Sequence, residues 1–134
     1  MSALVISRPI DVEEGFSAPI TLTQTSPLVY YYGSLSPLEK PRLYDTLVTK
    51  LATVVKKKLE GAMAKAAGII VDTPAEFVTP EGFKQISHVV EEFGITSILV
   101  IGQERLFSDL ERNYKENLLI TIIGISKSGG VISL

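Results

Sequence analysis

Three short stretches of the chain, residues 69–71, 98–101 and 118–123, are apolar at almost every position rather than at every second one. A strand with one face in water alternates apolar and polar side chains, whereas a strand covered on both faces does not. Such strands require helices above and below, which means a parallel sheet joined by crossovers. The residues before and between them have the matching period. Leu43, Leu47, Leu51, Val54 and Val55 recur at spacings of three and four, and Gly61 offers a stop. Thr79 is placed to cap a second helix with Pro80 in its first turn. Phe83, Ile86, Val90 and Phe93 line one face of that helix, and Gly94 ends it. Leu106, Phe107, Leu110 and Tyr114 mark a third. Ala3 to Ser7 and Leu28 to Tyr32 read as short strands near the start, and Gly68 to Asp72 as the strand after the first helix. The sum is an α/β domain with three layers and a mostly parallel sheet.

Composition narrows the function. A chain of 134 residues is expected to form one domain with a core of its own, and 46% hydrophobic with 21% charged residues is a globular balance. The net charge of -2 gives no chain-wide field to attract nucleic acid, so any RNA contact has to be local. The chain has no cysteine, which excludes disulfides and thiolate metal ligands. The start, Met1-Ser-Ala-Leu-Val-Ile-Ser-Arg-Pro9, lacks a basic region, and its apolar run is too short for a signal peptide. No apolar run reaches membrane-spanning length, and a soluble intracellular protein is expected.

Chemistry centres on Asp72, where the run Gly68-Ile-Ile-Val-Asp72 enters Thr73-Pro74. A carboxylate at the carboxyl end of a buried strand is where open α/β sheets gather magnesium and phosphate. The plainer reading is a turn aspartate that accepts backbone N–H bonds ahead of Pro74. A phosphate site would also need a glycine-rich loop leading into lysine and a hydroxyl. None of the ten glycines is followed by lysine, and the nearest approach, Ser126-Lys127-Ser128-Gly129-Gly130, has the order reversed. That segment follows the last strand, on the ligand edge of the sheet, and reads equally as a ligand-facing loop or a simple turn.

Other residues have plain explanations beside the functional ones. Lys56-Lys57-Lys58 offers phosphate contacts but falls in the last turns of a helix, where cations complement the dipole. Tyr30-Tyr31-Tyr32 offers stacking faces, yet alternation along a strand sends these rings into core and rim packing. His88 is the sole histidine, so it builds no metal site.

Taken in order, "RPIDVEEGF" (8–16), "PLVYYYGS" (27–34), "GIIVDT" (68–73), "GQERLFSDLERNY" (102–114) and "KSGGV" (127–131) resemble the polynucleotide 5'-hydroxyl-kinase family, which includes a pre-mRNA cleavage and polyadenylation factor subunit. The resemblance covers nearly the whole chain. It implies a P-loop NTPase type of sheet, incomplete here, with residues 1–134 as the later part of a central ATP-binding domain. The family's phosphate loop and catalytic aspartate would then lie upstream of Met1, and its lid arginines downstream of Leu134. ATP and magnesium are the family's cofactors, and tight binding by this chain is not expected. The residues that the resemblance places near a nucleotide are Asp72, Thr73, Lys127, Ser128 and Gly129. Kinase-active relatives carry a tryptophan in the stretch matching 72–76 that helps clasp the nucleic-acid end. Here that stretch has none, and Phe77 is the aromatic residue left to stack a base. The "VDTP" wording is closer to fungal cleavage-factor subunits. The implied function is a nuclear scaffold of the 3'-end cleavage machinery, bound to a large partner subunit, contacting RNA weakly or indirectly, and without catalytic residues of its own. The alternative is an ATP-dependent RNA 5'-hydroxyl kinase of transfer-RNA or ribosomal-RNA processing.

Overall fold

The computed structural model describes residues 1–6, 27–61 and 66–128. The chain divides into two units, Met1–Ile70 and Val71–Leu134. Both helices and strands are present, and the larger sheet is parallel, so the fold is mixed α/β.

In the first unit, β1 (Ser2–Ala3) runs antiparallel to β2 (Leu28–Val29), with Ser2 opposite Val29 and Ala3 opposite Leu28. The Tyr30 N–H adds a bond to the Met1 carbonyl at 2.8 Å. Both strands are shorter than their sequences suggest. Leu4, Val5 and Ile6 are exposed beyond the ladder, and Ser7 lies outside the described residues. Helix α1 (Pro41–Lys58) opens with proline in its first turn, where the missing N–H costs nothing, and closes with Lys56, Lys57 and Lys58 at its negative end. Its buried stripe is Leu47, Val48, Leu51 and Ala52. Leu43 and Val54 of the expected stripe lie outside it, exposed. The helix stops three residues short of Gly61, with the Leu59 N–H bonded to the Val55 and Lys56 carbonyls.

Residues 68–72 are not a strand, contrary to expectation. An apolar run becomes a strand only when its N–H and C=O groups find a ladder partner, and no described strand pairs with this one. Ile70 accordingly stands 95% exposed.

The second unit begins with a 3-10 turn at Ala75–Val78, whose Phe77 ring is 2% exposed. Gly82, not the expected Thr79, is the N-cap of the helix that follows, with no side-chain cap bond, and Pro80 falls ahead of its first turn; Thr79 instead closes the 3-10 turn. Its hydroxyl donates to the Glu76 carbonyl at 2.7 Å and accepts the Gly82 N–H at 3.2 Å. Helix α2 (Phe83–Phe93) buries Gln85, Ile86, Val89 and Val90 and ends at Gly94 in a left-handed turn. Strand β3 (Ser97–Ile101), helix α3 (Glu104–Tyr114) and β4 (Thr121–Ile125) then form a strand–helix–strand unit. The strands are parallel and in register from Ser97 opposite Thr121 to Ile101 opposite Ile125.

Strand β4 starts three residues later than the apolar run at 118. Asn117 explains the delay. Its carbonyl accepts the Ile120 N–H at 3.2 Å and its side chain accepts the Leu119 N–H at 3.1 Å, so the backbone turns instead of extending. Leu118 and Leu119 are left exposed. On the sheet, α3 covers the face that carries Val100, with Leu110 at 1% exposure and the Phe107 ring lying over Gly124. Leu99, Ile101, Ile123 and Ile125 share the other face and are 42–60% exposed. The two-sided burial expected of these strands is therefore not seen among the described residues, which give the sheet a helical layer on one face. No described helix is long and apolar enough to cross a membrane.

Candidate functional site

The carboxyl ends of β3 and β4 come together at Gly102. Its N–H donates to the Ile125 carbonyl at 2.9 Å, and its φ of +64° turns the chain out of the strand toward α3. A side chain there would be strained in that conformation. It would also meet Lys127, since a Cβ on Gly102 would stand 3.1 Å from Lys127 Cγ and 3.2 Å from Cδ. The lysine stem thus crosses the bare glycine while the residue stays exposed. This anchors a cationic side chain at the edge of a parallel sheet where ligands of α/β folds are held. Ser128 is exposed one residue further on. Gly129 lies outside the described residues.

Asp72 and Thr73 are placed differently. Both are exposed, on the irregular segment that leads into the 3-10 turn, so Asp72 does not end a strand. Among the described residues the Asp72 carboxylate accepts no hydrogen bond and pairs with no cation, Lys127 included. The structure brings Lys127 and Ser128 to the sheet edge together; no bond ties Asp72 or Thr73 to them. No described group of three or more aspartate, glutamate or histidine side chains is poised to hold a metal ion.

The structure corrects two further readings. Phe77 cannot stack a base, because the 3-10 turn carries its ring inward to 2% exposure. Tyr30, Tyr31 and Tyr32 lie beyond β2, so strand alternation does not place them, and none is in the core: Tyr30 and Tyr32 are half-buried. Tyr32 packs edge-on against Tyr44 with ring centroids 5.6 Å apart, while Tyr31 is 92% exposed.

Two structural residues have no forerunner in the sequence reading. Gly102 was legible in principle as a glycine between an apolar strand and a helix. Gln85, 6% exposed with no hydrogen-bond partner for Oε1 among the described residues, left no signal in the periodicity. A cleft of about 310 Å³ lies at the opposite end of the strands in the second unit, between Val90, Ile95, Thr96, Tyr114 and Ile120.

The family model described as mRNA cleavage and polyadenylation factor CLP1 P-loop matches residues 1–134. A protein CLP1 homolog of Anopheles gambiae is 38% identical over 133 residues, covering 98% of this chain and 29% of the relative. The mRNA cleavage and polyadenylation factor clp1 of Botryotinia fuckeliana is 35% identical over 144 residues, covering 98% of this chain and 31% of the relative. Its counterpart in Aspergillus oryzae is 37% identical over 152 residues, covering 98% and 27%. The chain thus spans about three-tenths of the length of the relatives it matches. On a match that runs from its first residue to its last, the chain belongs to the CLP1 P-loop family of mRNA cleavage and polyadenylation factors.

Proposed function

We propose that the chain serves mRNA 3'-end processing as the nucleotide-binding-fold part of a cleavage and polyadenylation factor subunit, acting in the nucleus as a scaffold for a large protein partner. The observation that carries this reading is the family match along all 134 residues, together with fungal relatives named for that factor. Within the reading, residues 1–134 are the later part of a central P-loop domain, and their sheet completes a three-layer arrangement. The Lys127–Gly129 segment is the nucleotide-facing edge, with Asp72 and Thr73 as further contacts. Lys127 supports this through its stem, held across Gly102 at the carboxyl end of the parallel strands. RNA is met weakly or indirectly, since the chain lacks a basic field. Phosphoryl transfer needs lysine, metal and arginine positioned around the moving group, and this sequence has no glycine–lysine pair to begin such a set.

The test is depletion of the protein in its host, followed by measurement of uncleaved transcripts at polyadenylation sites. Readthrough that the restored protein reverses is the expected result. Normal cleavage, with a fall in 5'-phosphorylated RNA instead, would replace this reading with that of an RNA kinase.

A further inference from the structure

Gly102 and Lys127 meet where β3 and β4 end. Ile101 and Ile125 stand opposite each other as the last pair of the parallel ladder, and the Gly102 N–H closes it on the Ile125 carbonyl at 2.9 Å. One residue past that pair on β3 is the bare glycine, and two past it on β4 is the lysine. A Cβ on Gly102 would stand 3.1, 3.2 and 3.4 Å from Lys127 Cγ, Cδ and Cβ. Carbon atoms rest at roughly 3.5–4.0 Å from one another, so the stem lies over space that any other residue at 102 would fill. Among the described glycines this is the one whose missing side chain is replaced by a cation. At Gly124 the same space takes the half-buried Phe107 ring, which is packing. Lys127 stays exposed, so its contact buries little and chiefly sets the direction of the stem.

What the ammonium meets follows from its place and its head group. The stem is held, yet among the described residues the ammonium joins no ion pair and no hydrogen bond, and Glu104, two residues from Gly102, does not take it. The carboxyl ends of parallel strands are where α/β folds hold their ligands. A lysine ammonium is a compact point charge whose N–H donors turn freely, which suits the oxygens of a phosphate group. Ser128 places a hydroxyl beside it at the same end of the sheet. A lysine with a free stem gives up that freedom on binding, whereas one laid across a glycine has given up part of it beforehand.

We infer that Gly102 is a positioning residue, whose bare backbone aims Lys127 so that the ammonium contacts a phosphate group, carried by a nucleotide or by the end of an RNA. This rests on the proposed reading of Lys127 to Gly129 as the nucleotide-facing edge, and adds which group is met and what aims the lysine at it. The experiment uses the full-length protein and two variants. Lys127→Met keeps the stem without the charge. Gly102→Asn sets a Cβ against the stem in a residue that tolerates a positive φ. Both, and the double variant, are titrated with ATP, with adenosine, and with an oligoribonucleotide bearing either a 5'-phosphate or a 5'-hydroxyl. Each single variant is expected to bind a phosphate-bearing probe at least about tenfold more weakly, the loss of one charge-assisted hydrogen bond, with its phosphate-free counterpart unaffected. The double variant should bind as Lys127→Met does, because a glycine that acts through the lysine then has nothing left to aim. Loss with ATP alone assigns the phosphate to a nucleotide, loss with the 5'-phosphate alone to RNA, and loss with both to one site that takes either. Wild-type protein that binds neither phosphate probe, equal losses for the phosphate-free probes, or a further loss in the double variant with a lower midpoint of thermal unfolding would overturn the inference. If Lys127→Met weakens binding and Gly102→Asn does not, the edge keeps its ligand and the positioning role falls. If Lys127→Met leaves binding unchanged, the nucleotide-facing reading of this edge falls as well.

Discussion

Gly82 sits where the chain leaves the 3-10 turn and crosses back over it. A Cβ there would overlap the Glu76 carbonyl oxygen and stand 2.8 Å from Phe77 Cα. Both are backbone atoms, so no rotamer change relieves the clash, and the φ of -78° is ordinary. Gly82→Ala should therefore destabilise by about 1–3 kcal/mol through overpacking alone, read as a lower midpoint in denaturant with unchanged slope. Gln85, one turn into the same helix, works in the opposite direction. A buried amide oxygen without a partner forgoes its hydration, a loss of about 1–3 kcal/mol. Gln85→Met fills nearly the same volume without the polar atom. It should leave stability unchanged or raise it by about 1 kcal/mol in the same measurement. A clear loss would mean that Oε1 is hydrogen-bonded in solution.

At the scale of elements, α1 separates what periodicity conveys from what it does not. The spacing of Leu43, Leu47 and Leu51 gives a helix with one apolar face, but only Leu47 and Leu51 are buried; Leu43 lies in the first turn at 41% exposure. Leu51→Ala should cost about 2–5 kcal/mol and Leu43→Ala no more than about 1 kcal/mol, a contrast that thermal unfolding of the two variants would reveal. Near-equal losses would contradict the stripe. Helices were legible because each satisfies its own backbone bonds, so the sequence of one segment suffices. Strands were legible only where a partner exists. Residues 98–101 and 121–123 found each other, 68–72 found no described neighbour, and at 118–120 the turn chemistry of Asn117 overrode apolar character. The candidate site follows the same division. Lys127 and Ser128 lie at the sheet edge because they follow the last strand, which the sequence conveys. The support of Lys127 by Gly102 depends on a contact between residues 25 apart in the chain, which local pattern does not reveal.

For the whole molecule, the same absences and exposures decide its behaviour in solution. ATP binding needs converging N–H groups and a lysine on the outer phosphates, and here Lys127 stands without a glycine–lysine loop. Isothermal titration of residues 1–134 with ATP and magnesium should show no saturable binding in the low micromolar range; such binding would reveal a site elsewhere in the chain. Self-association follows from the open face of the parallel sheet. Leu99 pairs with Ile123 and Ile101 with Ile125, so four aliphatic side chains form one uncharged patch that is 42–60% exposed. Parallel strands are rarely left open on one side, because burying each such side chain contributes roughly 1.5–3 kcal/mol. Four of them, part-exposed, offer a gain comparable to the lower estimates of about 4 kcal/mol for joining two molecules. The isolated chain should therefore associate in a concentration-dependent way rather than form a fixed oligomer. Replacing Leu99 and Ile123 together by threonine keeps strand propensity, removes much of the patch and should return the chain to a monomer. Light scattering across a dilution series, paired with thermal unfolding, distinguishes the outcomes. A wild-type chain that stays monomeric at every concentration and melts in one sharp transition would show that the open face drives no association.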